Sequence, residues 1–412
     1  MRILGIAVLL LLPVSLAVFG SGFVEAPTGF DGLTNNSVDQ ATMDKSRGQF
    51  AEVEAPAPNG LGPLYNAVSC LDCHQSIADG GHSQVRELRA GHLDHHGNFV
   101  GATITLNDGS TVGPRSLINQ RAICAEVIGQ LSPQDNIRAL RLSLPLFGDG
   151  FVEAVSDEEL LEIAKQQHDS TEGEIHGQAI YVAILEGAGG KRIGRFGWKD
   201  QHASLLSFSS DAYLNEMGIT NNFNPTEETT TCNPPVAAAS DATHVTEPNN
   251  MEDIFNFTTF MRALKAPPRD EKLASSPDAL VGADLFRQVG CQTCHVDTLH
   301  TVPAGTTLNG GAYKVSDAIG DKVFHPFGDF LLHDIGTGDG IVQNGPPNTR
   351  NKMRTMPLWG LRTRVEFLHD GRARDLYEAI HHHRGEADEV RERFDRLPKE
   401  QKAEIIAFLK SL

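Results

Sequence analysis

Cys70-Leu71-Asp72-Cys73-His74 and Cys291-Gln292-Thr293-Cys294-His295 each place two thiols one helical turn apart, with a histidine directly after the second. That spacing lets both sulfurs reach the vinyl groups of one haem while the histidine ligates its iron, so it predicts c-type attachment. One such pentapeptide could equally be half of a zinc site. Two in one chain point to two covalently bound haems, one held by Cys70, Cys73 and His74 and the other by Cys291, Cys294 and His295. The remaining cysteines, Cys124 and Cys232, are accounted for by one intramolecular disulfide or by two buried thiols.

The segments that must carry these residues show an internal echo. Leu64-Tyr65-Asn66-Ala67-Val68-Ser69 and Leu285-Phe286-Arg287-Gln288-Val289-Gly290 keep leucine, an aromatic residue and valine in register before each site. Pro145-Leu146-Phe147-Gly148 recurs as Pro357-Leu358-Trp359-Gly360, and Phe196-Gly197-Trp198 aligns with Phe367-Leu368-His369. A duplication with two haem-bearing halves follows. Ser156-Asp157-Glu158-Glu159 has the capping-box form ahead of Leu160, Leu161 and Ile163. Pro398 opens a run that puts Ile405, Ile406, Leu409 and Leu412 on one face, leaving Lys399, Lys402 and Lys410 for water. These patterns predict a mainly α fold of two cytochrome c-like haem domains.

Arg2, the apolar run Ile3 to Phe19 and then Gly20-Ser21-Gly22 have the form of a secretory signal, or of an uncleaved anchor. The chain is accordingly expected to divide into that leader (1–22), an N-terminal arm with few contacts (23–58), an N-terminal haem domain (59–220), a polar connector (221–275) and a C-terminal haem domain (276–412). Export to the periplasm follows, with a membrane contact only if the leader is uncleaved. The 412 residues carry a formal net charge of -18, which disfavours nucleic acid and would steer a basic partner such as a small electron-donor cytochrome.

The tandem haem sites occur together with Arg195-Phe196-Gly197-Trp198-Lys199, Asn215-Glu216-Met217-Gly218-Ile219-Thr220, Leu331-Leu332-His333-Asp334, Leu368-His369-Asp370-Gly371-Arg372-Ala373 and Gly385-Glu386-Ala387. Together they resemble the dihaem oxidoreductase family, which is similar to the bacterial dihaem cytochrome c peroxidases and to the dihaem enzyme that matures methylamine dehydrogenase. The resemblance runs from about Gly60 to Leu412 and is weakest between the first haem site and Pro145. It implies an enzyme that reduces hydrogen peroxide at the N-terminal haem with electrons arriving through the C-terminal one.

Residue by residue, the resemblance implies that Trp198 is a tryptophan bridging the haems. Glu216 corresponds to the distal acid-base carboxylate, in a motif two residues shorter than the peroxidase pattern; Glu153 is the second choice. Fourteen positions after His369, where the peroxidases have a methionine ligand, this chain has His383. Imidazole in place of a thioether lowers a haem's potential. His382, Met353 and Met356 are the alternatives for that ligand. His82, His92, His95 and His96 are candidates for a removable ligand on the first haem, and 92, 95 and 96 would suit a divalent metal if helical. Arg372, and then Arg195, could pair with haem propionates, since guanidinium matches carboxylate bidentately. The resemblance also admits calcium between the halves, although no Asp-rich loop in EF-hand order occurs. A protein-modifying oxidase, an oxygenase and a non-catalytic electron carrier are the alternative functions.

Overall fold

The computed structural model describes residues 22–56, 60–232 and 252–412. Nearly all of the expected leader and the middle of the expected connector lie outside them. No helix among the described residues is long and apolar enough to cross a membrane.

The arm is not the sparsely packed segment its composition suggested. Val24–Glu25 adds a parallel strand to Lys322–Phe324, and the Asn35 amide donates to the Arg262 and Leu264 carbonyls. Helix α1 (Gln40–Phe50), capped by the Asp39 side chain, buries Met43, Ser46 and Phe50.

The first Cys-x-x-Cys-His turn follows, and after it comes the largest departure from expectation. Strands β1 (Arg86–Leu93), β2 (Phe99–Leu106), β3 (Thr111–Arg115), β4 (Leu117–Ile118), β5 (Gly129–Leu131) and β6 (Ile137–Leu142) form an antiparallel sheet of order β3-β2-β1-β4, with β5 also on β2 and β6 also on β1. With 33% helix, 18% strand and several sheets, the chain is not mainly α, and that expectation is corrected. The cause is local: Ala102, Ile104 and Leu106 are buried while Thr103 and Thr105 point to solvent, the period-two pattern of a half-buried strand. The Cys124–Cys232 disulfide pins this region to the start of the connector.

The described helices of six residues or more that follow are α2 (Asp157–Ser170), α3 (Leu205–Met217), α4 (Glu252–Ala263), α5 (Pro277–Val289), α6 (Leu376–His381), α7 (Asp388–Arg396) and α8 (Lys399–Lys410). Ser156 caps α2 by accepting from the Glu159 N–H at 3.0 Å, as the capping box requires. Ser204 caps α3, whose first N–H is also held by Glu153 Oε1 at 3.0 Å. Glu153 is fully buried and bonded by Arg262 of α4 at 2.6 and 2.8 Å and by the Asn309 amide at 2.9 Å. It is the tie between α3, α4 and the C-terminal half.

Two apolar cores frame the cavities. One packs Phe50, Phe147, Phe151, Tyr213 and Phe257 together with Phe324 and Trp359 from later in the chain. The other packs Ile405, Phe408 and Leu409 of α8 on Leu285, Phe286 and Val289 of α5, each such side chain contributing about 1.5–3 kcal/mol. The α5 and α8 backbones approach so closely at Gly282 that a Cβ there would lie 1.9 Å from the Glu404 carbonyl oxygen. This packing fixes the end of α5, where the second haem site begins.

Candidate functional site

Helix α5 ends at Gly290, whose φ of 102° suits only glycine. The chain then turns through Cys291–Thr293, and the His295 N–H donates to the Cys291 carbonyl at 3.0 Å. Cys291, Cys294 and His295 thereby line the larger of two apolar cavities. His383, just past α6, lines it too, its ring centroid 6.5 Å from that of His295. His295 Nδ1 donates to the Phe327 carbonyl at 3.1 Å and His383 Nδ1 to the Ala379 carbonyl at 2.9 Å. A carbonyl can only accept, so each Nδ1 carries the hydrogen and each Nε2 presents a lone pair. Two imidazoles on opposite sides of one metal, each bond about 2 Å, have rings at this separation. His381 is exposed and paired with Asp395, and His382 does not line the cavity; Met353 and Met356 do.

The first site repeats the turn. Ser69 caps Cys70–Asp72, the His74 N–H donates to the Cys70 carbonyl at 3.0 Å, and His74 Nδ1 meets the Gly81 carbonyl at 3.3 Å. Cys70, Cys73 and His74 line the smaller cavity with Glu216, Tyr213 and Met217 of α3. Among the described residues no second histidine lines it. His92, on β1, is held by Asp135 at 2.8 Å, and the His95 and His96 rings lie 3.7 Å apart, tilted by 45°, in the β1–β2 turn. The helical spacing that would make these three a metal site is therefore absent. His82 is half-buried in the loop that returns from His74.

Glu216 Oε2 accepts from the Asn66 amide at 2.8 Å. Burial, and then the neighbouring Glu87, push its carboxyl up to about 7. Burial acts on Glu87 as well, but Arg89, bonded to it at 2.8 and 2.9 Å, keeps its pKa below the ordinary value. Glu216 thus sits beside a fixed negative charge and titrates near neutrality. Glu153 behaves oppositely: despite complete burial, Arg262 holds its pKa down, as befits a structural tie.

Trp198 lines the larger cavity and donates its Nε1–H to the Leu142 carbonyl at 2.7 Å. The Leu142 N–H donates to the His369 carbonyl at 2.7 Å, and Leu144, two residues on, bonds the His74 ring through its backbone. His333, also lining the larger cavity, has both ring nitrogens 2.8 Å from carboxylates, Nε2 at Asp329 and Nδ1 at Glu386. Burial alone would lower its pKa; Cys294 and Asp329 instead hold it well above the ordinary value.

The residues fit haem. All four cysteines outside the disulfide are free thiols that line the two cavities in pairs, each pair next to its histidine, where the vinyl groups of a haem would meet them. In the larger cavity, Arg364 Nη2 is buried with no hydrogen-bond partner, the complement of an anionic group brought in with the cofactor, whereas Arg354 Nε already faces the Asp200 carboxylate at 3.8 Å. Arg372 is elsewhere, exposed and bonded to Asp370 at 2.6 Å, and Arg195 is spent on the Val155 and Ile193 carbonyls and Asp157. Neither of these two arginines lines either cavity. Arg364 was missed, and no local pattern distinguishes it; Tyr213 was also missed, although its spacing of three from Glu216 puts it on the same helix face. Among the described residues, the side-chain clusters close enough to share a metal are Cys124, Glu126 and Cys232, consumed by the disulfide, and Cys294, Asp329 and His333; neither offers calcium an oxygen-rich shell.

Residues 118–412 match the family described as "di-haem oxidoreductase, putative peroxidase". No curated protein matches the chain. Among solved structures, hydrazine synthase of Kuenenia stuttgartiensis is similar at 12% identity, covering 100% of this chain and 98% of that one, with a TM-score of 0.35. A MauG-like protein associated with microbial copper homeostasis is similar at 14% identity over 95% and 93%, TM-score 0.44. A variant of the diheme peroxidase BthA of Burkholderia thailandensis is similar at 13% identity over 57% and 68%, TM-score 0.31. At these TM-scores the backbones diverge too far for any of the three to specify this chain's chemistry.

Proposed function

The chain belongs to the di-haem oxidoreductase family, and on that premise we propose that it reduces hydrogen peroxide at the first site with electrons delivered through the second. The observation that carries this reading is the asymmetry of the two cavities: the second has the His295 and His383 rings 6.5 Å apart on its wall, while the first has Glu216 and no second histidine among the described residues. Cys70, Cys73 and His74 would hold one haem, and Cys291, Cys294, His295 and His383 the other, through cysteine sulfurs and histidine imidazoles. When bound, the pair supplies an open iron that cleaves the O–O bond and a closed iron that relays electrons.

Glu216 moves the protons. As a carboxylate it accepts one from the inner peroxide oxygen and then returns it to the outer oxygen, so that with two electrons and two protons one peroxide becomes two waters. A group titrating near 7 can do both at neutral pH. Trp198 and Leu142 lie on the path from the second cavity to His74 and would carry the electrons across. Arg364 would neutralise a haem carboxylate inside a largely apolar wall. The acidic surface suits a small basic cytochrome as donor, and the leader suits periplasmic export.

Low-temperature EPR of the haem-loaded protein, as isolated and half-reduced, followed by one equivalent of peroxide, tests this. A high-spin ferric signal abolished by peroxide is expected. Two low-spin signals indifferent to peroxide would leave an electron carrier, and peroxide consumption without oxidation of an added cytochrome would favour a protein-modifying oxidase.

A further inference from the structure

The first cavity has a second ionisable wall that the proposed acid-base chemistry does not use. Tyr213 and Glu216 share a face of α3, and both line the cavity. The Tyr213 side chain is buried, yet its hydroxyl donates toward two carboxylates, Asp253 Oδ2 at 3.0 Å and Glu54 Oε1 at 3.3 Å. One O–H can serve only one of them at a time, and Asp253 is the nearer. The three groups come from separate parts of the chain: Glu54 from the arm just past α1, Tyr213 from α3 and Asp253 from the first turn of α4.

Gathering two acids around a buried phenol is unfavourable for packing alone. Burial, and then Glu52 and Asp253, push the Glu54 carboxyl up to about 7. A phenylalanine at 213 would fill the same space without that cost. The acids also differ in exposure: Glu54 is buried, whereas Asp253 is half-buried at the start of α4 and so can pass a proton outward. On the inner side, rings run without a break from the haem ligand to the phenol: His74 to Phe50 at 6.2 Å, Phe50 to Phe257 at 6.1 Å and Phe257 to Tyr213 at 5.2 Å.

We propose that Tyr213 is a redox-active tyrosine of the first site, giving one electron to the peroxide-oxidised haem and its phenolic proton to the Asp253 carboxylate. The O–H bond is broken, the haem gains one reducing equivalent, and a neutral phenoxyl radical remains on the protein. An electron from the second site, with the proton returned from Asp253, restores the phenol. The electron-transfer path and the proton path are thus separate, one through the cavity wall and one toward solvent. This rests on the peroxide reading above, which supplies the oxidant.

The test uses haem-loaded protein from cells fed ring-deuterated tyrosine, mixed with peroxide, freeze-quenched and read by EPR beside unlabelled protein. An organic radical whose hyperfine pattern narrows on labelling, and which is lost in Tyr213→Phe, is expected. Asp253→Asn combined with Glu54→Gln keeps the phenol and removes both proton acceptors, and loss of the radical is expected there too, so the outcome does not hang on one variant's folding. A radical unaffected by labelling, or one that persists in Tyr213→Phe while the ferric signal is still consumed, overturns the role of Tyr213 and leaves the peroxide reading standing. A haem signal indifferent to peroxide overturns both.

Discussion

The rings of Trp198 and His369 meet edge to face, their centroids 6.1 Å apart and their planes at 73°. Both residues are also bonded to Leu142, Trp198 to its carbonyl and His369 to its N–H. The strand that closes the sheet thereby becomes a backbone connection from the second cavity toward His74. Trp198→Phe keeps a ring but leaves the buried Leu142 carbonyl without its donor, which should cost about 1–3 kcal/mol in chemical denaturation. It should also slow reoxidation of the half-reduced second haem by peroxide in stopped-flow; an unchanged rate would place the electron path elsewhere.

His383 Nδ1 is anchored on the Ala379 carbonyl, which leaves Nε2 as the ring nitrogen with a free lone pair, in a ring 6.5 Å from that of His295. His383→Met replaces imidazole by thioether and should raise the potential of the second haem, on the order of tenths of a volt within the ~0.8 V range that axial ligands span. Spectroelectrochemical titration measures it. His382→Met should leave the potential unmoved, and the reverse pattern would assign the ligand to His382.

Glu153 is engaged by Arg262, Asn309 and the Leu205 N–H, and is buried completely. Glu153→Gln leaves the Arg262 charge without its partner and should destabilise the fold by about 3–5 kcal/mol. Its effect on peroxide chemistry should follow stability alone, with the pH profile unshifted in the fraction that remains folded.

Glu386 accepts from the Asp334 N–H at 3.0 Å and the His176 N–H at 3.1 Å, and meets His333 Nδ1 at 2.8 Å. Burial would raise its pKa, but His333 and these N–H groups bring it down to about 2 from 4.5. A carboxylate depressed on folding contributes stability above its unfolded pKa and loses it as pH falls through the folded one. The denaturation midpoint should therefore drop between pH 4.5 and 2. Glu386→Gln should be less stable at neutral pH and flatter across that window.

The chemistry-bearing residues were legible where spacing placed them, as in the Cys-x-x-Cys-His pentapeptides, or where the family resemblance did, as for His383 and Glu216. The two Cys-x-x-Cys-His turns, His383 fourteen positions beyond His369, and Glu216 at the end of its helix all reach the cavity walls. So were the Ser156 cap and the apolar face of Lys399–Lys410. The sheet was missed where the family resemblance is weakest, although the alternation in 102–106 and the turn at Asp108-Gly109 were there to be read. Arg364 was not legible at all, since a buried guanidinium without a partner is a property of the assembled cavity. The contacts of the arm were equally hidden, because Glu54 and Phe50 acquire meaning only against α3 and α4.

The most direct test of the account is the rate of the peroxide reaction at the first haem as a function of pH, in the wild type and in Glu216→Gln. With its carboxyl raised to about 7, Glu216 is protonated and unable to accept a proton at lower pH, so the wild-type rate should fall as pH drops through that value. The Gln variant should be slower by about 10²–10⁴-fold and flat across the same range. A variant that keeps both the rate and the slope would contradict Glu216 as the proton carrier.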